Sequence, residues 1–523
     1  MKINLKNWRD DLPAGLVVFL VALPLCLGVG LASTNLPEIN GLPNLFTGII
    51  AGIVGGTIVG FFSQSRLGVS GPAAGLISII LSAITLLGSY EAFLVSVVLS
   101  GIIQIIAGFL NAGIISNYFP TSVIKGMLAA IGITLILKEI PHIMGYDADF
   151  FGDESFFQQD GHNTLSEIIY AFNSILPGSI LVGISSILLL IILEKPTFKK
   201  LRLFQLIPLP LFVVLAGVLL NFLFELFIPE IKITEKHLVQ LPVANNLTEF
   251  FNFFTFPNFT SLSNSNVYVV AFTLALVGSL ETLLSVDATD KLDPEKPITP
   301  TNTELKAQGV GNIVSGLLGG LPVTQVIVRS SANINAGGKS NLSTVFHGFL
   351  LFIAVLFFPT ILNLIPLATL AGILIMVGYK LAKVSLFKQM FGYGYEQSIP
   401  FLATIIGILF TDLLRGIAIG ICISIFYVLK KNLKNNFTKK TNQNKEIEIT
   451  LAEEITFLNK GTIITELNSI EPNSSITING SQCKNIDFDV MEFLREFVDT
   501  TSKTKNIKIT ILGIKEFEKT NLN

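Results

Sequence analysis

The sequence predicts an α-helical polytopic membrane protein with a small α/β domain at its C-terminal end. Three observations carry this. Half of the residues are hydrophobic and 14% are charged, with a mean hydropathy of +0.66, whereas a soluble chain carries about 25% charged residues. Apolar runs of bilayer-crossing length, about 20 residues, recur as two sets of seven. After about Asn442 the pattern changes to alternation at period two, which marks half-buried strands.

The first set lies near 14–33, 44–62, 69–88, 91–110, 122–140, 174–193 and 205–227. The second lies near 267–286, 306–320, 321–336, 342–358, 362–380, 399–414 and 415–431. This divides the chain into a first transmembrane repeat (1–228), an extracellular or periplasmic linker (229–266), a second repeat (267–432) and a C-terminal domain (443–523). An odd number of spans per repeat inserts the second set upside down, giving a 7+7 inverted repeat of 14 transmembrane segments.

Charge sets the orientation. Lys195, Lys199, Lys200 and Arg202 follow the sixth span, Lys380, Lys383 and Lys388 the twelfth, and Lys430, Lys431, Lys434, Lys439 and Lys440 the fourteenth. All fall on one side, which the positive-inside rule makes cytoplasmic. The loop from Pro141 to Glu167 lacks Lys and Arg but carries Asp147, Asp149, Asp153, Glu154 and Asp160. Lys232 and Lys236 in the linker are the notable exception. Both termini are expected in the cytoplasm and the spans in the cell's inner membrane.

In the C-terminal part, Glu446–Leu451, Thr462–Ile464, Ser475–Ile478 and Ile507–Leu512 read as strands, and Asp489–Val498 as a helix with one apolar face. About 80 residues suffice for a modest core.

Other classes are excluded by what the residues do not offer. A net charge of −2 gives no basic surface for nucleic acid. Cys26, Cys422 and Cys483 are too scattered for disulfides or metal ligation, and the long first apolar run does not suit a cleaved signal peptide. His142, His162, His237 and His347 form no ligand set. No nucleophile–base pair stands out, so neither an enzyme nor a cofactor is expected. Ala336-Gly337-Gly338-Lys339-Ser340 resembles a phosphate-binding loop superficially, but Asn333 stands where that motif needs its first glycine and no strand precedes it. Asp412 and Arg415 read as a local ion pair.

Two apolar segments break at matching places in the halves: Val69-Ser70-Gly71-Pro72-Ala73-Ala74-Gly75 and Gly320-Leu321-Pro322 through Arg329-Ser330. Paired broken helices point to a transporter's binding site. Helix N-termini offer unpaired amides and a positive dipole end to an anion. Ser70, Gly71 and Ala73 open span three. Val323, Thr324 and Gln325 follow Pro322, a residue suited to a first helical turn. The amides of Ser70–Ala73 and Val323–Gln325 are the expected contacts, with Thr324 and Gln325 side chains as donors. Arg329, about two turns in, is expected behind the site as a source of positive potential. Its alternative is a structural ion pair, and small residues alternatively mediate helix packing.

Glu281 lies in mid-span eight, with Ser285 one turn on and on the same face. An intramembrane acid is a functional candidate by default. A carboxylate and hydroxyl hold Na⁺, or the carboxyl carries a proton; a fixed pair with Arg329 is the bland alternative.

These residues together resemble the sulfate permease (SulP) family of anion transporters over nearly the whole chain. The resemblance rests on Asp11-Leu12-Pro13-Ala14-Gly15-Leu16, Val69-Ser70-Gly71-Pro72, Gly309-Val310-Gly311-Asn312-Ile313 and Gly320-Leu321-Pro322 to Arg329-Ser330. The C-terminal part resembles a STAS domain. The resemblance implies core and gate domains and a small inorganic anion, sulfate or bicarbonate, held between the opposed N-termini of spans three and ten. It also implies a homodimer, elevator-like movement and a site lined by Leu23-Pro24-Leu25-Cys26. Leu25 replaces the polar Gln of many sulfate-type members and matches bicarbonate-transporting relatives. Glu281 stands where Na⁺-using relatives carry Asp and proton-linked ones Glu. Asn479-Gly480-Ser481 departs from the usual Asp-x-Ser of STAS domains. The expected function is cation- or proton-coupled symport of that anion. A dicarboxylate or nucleobase carrier on the same architecture, or an anion channel, is the alternative.

Overall fold

A bilayer leaves no water to satisfy the backbone, so apolar runs must close their hydrogen bonds within helices. The computed structural model places a helix in every expected span, although spans three and ten begin as extended chain. It describes residues 5–34, 46–148, 156–157, 162–195, 208–241, 243–244, 247–434, 437–441, 446–514 and 517. Lys199, Lys200, Arg202, Asp149, Asp153, Glu154 and Asp160 lie outside these residues.

The first half contains α1 (Trp8–Thr34), α2 (Phe46–Val54, continued by a π-helical turn to Phe62) and β1 (Ser70–Pro72). Then follow α3 (Ile77–Leu87), α4 (Tyr90–Phe109), α5 (Thr121–Met144), the short α6 (Thr164–Ala171), α7 (Pro177–Leu193) and α8 (Leu209–Phe227). The second half contains α9 (Ser265–Leu292), α10 (Thr301–Leu318), β2 (Val323–Gln325), α11 (Ile327–Asn335) and α12 (Leu342–Phe357). It ends with α13 (Leu367–Leu381), α14 (Val384–Gly392), α15 (Tyr395–Phe410) and α16 (Leu413–Lys434). Six described helices, α1, α4, α8, α9, α16 and the α13–α14 stretch, are long and apolar enough to cross a membrane. Shorter apolar helices fill other span positions. The chain is a multi-pass membrane protein.

The helices pack as two bundles. The first joins α1–α4 to α9–α12; the second joins α5, α7 and α8 to α13 and α15. The pairings repeat between halves: α4 packs on α10 as α12 packs on α2, and α8's neighbour α7 packs on α13 as α15 packs on α5. Glycines set the closest approaches. A Cβ on Gly101 would lie 2.5 Å from the Gly309 carbonyl, and one on Gly309 would lie 2.5 Å from the Gly101 carbonyl. Gly132 and Gly378 face one another in the same reciprocal way, at 2.5 and 2.6 Å. Gly56 and Gly348 repeat the Gly101–Gly309 crossing in the other half. β1 and β2 pair antiparallel, Ser70 with Gln325, Gly71 with Thr324 and Pro72 with Val323. A two-fold relation through this pair reverses the chain direction, as an inverted repeat requires.

The helix starts differ from expectation. Pro322 does not open a helix: Leu321–Val326 stays extended, because β2 pairs with β1 and the Val326 amide bonds the Val69 carbonyl at 2.9 Å. Span three likewise starts after β1, through a 3-10 turn at Ala74–Leu76. α5 runs on to Met144, α9 to Leu292, and α10 begins at Thr301. The Ala336–Ser340 turn joins two helices. Its Lys339 and Ser340 amides donate to the Asp11 carboxylate at 2.7 and 2.9 Å, so the concavity is filled from within the chain. Arg415 and Asp412 form the expected local pair at 3.1 Å.

Two compact units result, Met1–Ile421 and Cys422–Asn523. The second holds a four-stranded sheet in the order β3 (Phe437–Thr441), β4 (Glu446–Leu451), β6 (Ser475–Asn479), β8 (Lys508–Leu512). β3 runs antiparallel to β4 and the other neighbours are parallel. A minor pair joins β5 (Glu454–Ile455) to β7 (Asn485–Ile486). Helices α17 (Lys460–Asn468) and α18 (Phe488–Glu496) complete it. Ile449, Leu451, Ile476 and Ile478 pack with Ile463, Leu467, Val490 and Leu494. The expected strand at Thr462–Ile464 is instead part of α17. Ile463 and Leu467, one turn apart, both bury there while Thr465 between them is exposed, a pattern that fits a helix and breaks the alternation of a strand.

Candidate functional site

The site is built where both halves break their helices. β1 and β2 are too short to hold each other alone, and α10 fixes both. Asn312 donates to the Val323 carbonyl at 3.1 Å and accepts from the Val323 amide at 2.6 Å, closing β2's free edge. Gln308 donates to Ser70 Oγ at 2.6 Å, anchoring β1 through its side chain, and to Glu304 at 3.2 Å. The Gly309–Ile313 motif thus has a local reason. Gly309 lets α10 approach α4, and Asn312 holds the strand.

Internal bonds occupy three of the amides expected to face the anion. The Val323 amide is taken by Asn312, the Gln325 amide reaches Thr282 Oγ1 at 3.3 Å, and the Ala73 amide reaches the Pro322 carbonyl at 3.3 Å. The amides that open helices are therefore those of Ala74 and Gly75 and of Ile327–Arg329. Arg329 is the third residue of α11, in its first turn rather than two turns in, because the chain stays extended to Val326. The guanidinium is 1% exposed, and its Nε and Nη1 have no hydrogen-bond partner among the described residues. It lies against Gly71, where a Cβ would stand 1.8 Å from Nη1.

The other side chains face α9. Gln325 donates to Thr289 Oγ1 at 3.0 Å, so it is committed to that helix. Thr324 is fully buried, its Cγ2 set against Gly278 and its Oγ1 without a partner among the described residues. The Glu281 carboxylate meets Gly75, where a Cβ would lie 3.3 Å from Oε1. Ser285, one turn on, is buried beside it. The structure thus brings Ser70, Gly71, Thr324, Gln325 and Arg329 around the strand pair, with Glu281 and Ser285 on the helix flanking it.

Two clefts lie at opposite ends of α11. The larger spans about 1090 Å³, counting space open to solvent, and is lined by Pro13, Val17, Val21, Ala332, Asn335 and, from the second bundle, Glu194 and Lys380, which form an ion pair. The smaller spans about 460 Å³, counting space open to solvent, and is lined by Leu25, Val29, Ala74, Arg329, Lys138 and Glu139, among others. Along α1, Pro13, Val17, Val21, Leu25 and Val29 form one i, i+4 row that runs from one cleft to the other. Both clefts sit on the seam between the bundles.

Sequence reasoning missed Lys138 and Glu139, two ionisable residues near the end of an apolar span, a signal that the rule for intramembrane charges would have caught. It also missed that His142 and His237 meet on one carboxylate. His142 Nδ1 lies 2.6 Å from Asp147, and His237 Nδ1 bonds the other oxygen. Burial pushes the Asp147 carboxyl up, but the hydrogen bonds and positive charge of both histidines outweigh it, and its pKa lies below the ordinary carboxylate value.

The comparisons agree with this architecture. The chain is 26% identical to YvdB of Bacillus subtilis (strain 168), a protein named for sulfate transport, over 82% of this chain and 75% of that one. It is 26% identical to the bicarbonate transporter BicA of Picosynechococcus sp. (strain ATCC 27264 / PCC 7002 / PR-6), over 81% and 70%. The overall structure of SLC26A9 superposes with a TM-score of 0.66 at 15% identity, covering 98% of this chain and 85% of that one. The transmembrane domain of a cyanobacterial bicarbonate transporter BicA gives 0.55 at 21% identity, covering 81% and 99%. These relatives are transporters, not enzymes. The model of the sulfate permease family matches residues 8–406, and the chain belongs to that family.

Proposed function

We propose that this chain is a secondary active transporter of a small inorganic anion, sulfate or bicarbonate, coupled to a cation or a proton. One observation carries the reading. The buried Arg329 and the turn that opens α3 line the smaller of two clefts, which lie at opposite ends of one short helix. An anion is held there by the Ala74–Gly75 and Ile327–Arg329 amides, with Thr324 Oγ1 as a further donor and Arg329 supplying the field. Ser70, Gly71, Ala73, Val323 and Gln325 shape the strand pair that aims those amides. The names of the relatives, sulfate for YvdB and bicarbonate for BicA, support the substrate class.

Glu281, with Ser285, holds the coupling Na⁺ or proton, because its carboxylate abuts Gly75 at the opening of α3. The seam between bundles supports an elevator motion: the first bundle carries the site past the second, and the α1 row provides the sliding face. The protein works as a homodimer in the inner membrane, with its termini and a C-terminal STAS domain in the cytoplasm. The lysines after the α7, α13 and α16 spans support that orientation.

Uptake of labelled sulfate and bicarbonate into proteoliposomes, with Na⁺ or proton gradients imposed separately, tests the reading. Accumulation of one anion under one gradient is expected. Uptake of neither under either gradient overturns it. Glu281→Gln is expected to abolish the gradient dependence; an unaltered dependence removes Glu281 from coupling.

A further inference from the structure

Three charged side chains line the smaller cleft: Arg329 from the first bundle, and Lys138 and Glu139 from the second. All are buried, at 1%, 7% and 3% exposure. Ionised groups at this depth are costly and are retained for pairing or function, and Coulombic coupling is strong where water is excluded. Thr134 and Lys138 form one i, i+4 row on α5, and Leu135 and Glu139 the adjacent one, so this helix presents its two charges to the cleft that Arg329 faces. α5 and α11 belong to different bundles. A rigid-body movement between bundles therefore alters the Arg329–Glu139 separation, while Lys138 and Glu139, neighbours on one helix, stay together.

We propose that Glu139 is a tethered competitor of the transported anion: in the present conformation the cleft is open and Arg329 Nε and Nη1 lack a hydrogen-bond partner among the described residues, and when the bundles close on an empty site the Glu139 carboxylate neutralises Arg329 across the seam, a role from which a bound anion displaces it. This inference rests on the transport reading above. Lys138 moderates the competition by drawing on the same carboxylate. Glu139 is thus a positioning residue for the anion's access to Arg329, and it acts without touching the anion.

The competition has a signature that a simple field effect lacks. A tethered competitor multiplies the apparent Kd of every anion by the same factor, since only the empty state is stabilised. A negative charge acting at long range instead penalises a divalent anion by the square of its effect on a monovalent one. The test is titration of the purified full-length chain and its variants with sulfate and with bicarbonate, followed by thermal stabilisation. Glu139→Gln is expected to tighten both anions by the same factor, about fivefold. Lys138→Gln is expected to weaken both. A gain of affinity on losing a buried charge is not produced by damage to the fold. Unchanged or weaker binding in Glu139→Gln overturns the proposal, as does a sulfate gain equal to the square of the bicarbonate gain. If Glu139→Gln does not fold, Lys138→Gln decides alone: weaker binding of both anions by one factor supports the competition, and any other result overturns it. Binding of neither anion by the parent chain overturns the transport reading itself.

Discussion

Replacing Gly71 with alanine probes the link between the strand pair and Arg329. The new Cβ would stand 1.8 Å from Nη1 and 2.8 Å from Cζ, whereas ordinary contact begins at 3.4 Å. One side must retreat by the difference, 1.6 Å. β1 cannot, because Ser70 is held by Gln308 and its backbone is pressed against Gly55, where a Cβ would lie 2.4 Å from the Ser70 carbonyl. The guanidinium therefore moves. For a unit charge about 6 Å from the anion and an effective dielectric of about 20, the attraction is about 2.8 kcal/mol, and a retreat to about 7.6 Å leaves about 2.2. The loss of about 0.6 kcal/mol weakens binding roughly threefold. Overpacking adds about 1–3 kcal/mol of destabilisation. Arg329→Met, which removes the whole attraction, is expected to weaken binding roughly a hundredfold. Anion titration and thermal unfolding of the three proteins in lipid nanodiscs measure both effects. Parental affinity and stability in Gly71→Ala would refute the reasoning. A loss in Gly71→Ala as large as that in Arg329→Met would show that the strand's amides, and not the cation's position, carry the binding.

Thr324→Val keeps the shape of a fully buried side chain whose hydroxyl has no partner among the described residues. Thermal unfolding should show no loss of stability, while anion titration shows binding weaker by about 1 kcal/mol, roughly fivefold. Gly101→Ala forces α4 and α10 apart at a 2.5 Å approach and should cost about 1–3 kcal/mol in denaturant unfolding, as should Gly132→Ala at the reciprocal α5–α13 crossing. Asp147→Asn should cost about 1–3 kcal/mol near neutral pH. Because the folded carboxyl titrates below the ordinary carboxylate value of 3.8, that contribution is full above 3.8 and disappears as pH falls through the lowered folded value. Unfolding curves across a pH series should therefore converge for parent and variant at the acid end.

The spans, their division into halves and the two broken segments were legible because hydropathy and glycine–proline breaks are local signals. The strand pair was not. Gly71 and Thr324 become partners only when the halves meet, and a three-residue strand has no period of its own to detect. That one omission displaced everything downstream. Helices started at Pro322 on the page start at Ile327 in space, which moved Arg329 into the first turn and assigned the Val323 and Gln325 amides to internal partners. Thr462–Ile464 failed for a different reason: three β-prone residues in a row are too few to show a period, and the exposure of Thr465 between buried Ile463 and Leu467 decides for the helix. Asp147 was read as one acid in a loop, since nothing in its neighbourhood announces that His237, far along the chain, completes a shared hydrogen-bonded pair.

The pairing of β1 with β2 also bears on how such a chain could have arisen. Each strand is complete only in the embrace of its counterpart from the oppositely inserted half, and the reciprocal Gly132–Gly378 crossing repeats the demand. A half-length ancestor would have had its strand edge unsatisfied in lipid unless copies of it entered the membrane in both directions and met. Joining two such halves in one chain would fix their encounter and let them differ, as they do here at the pair of Gly71 and Thr324.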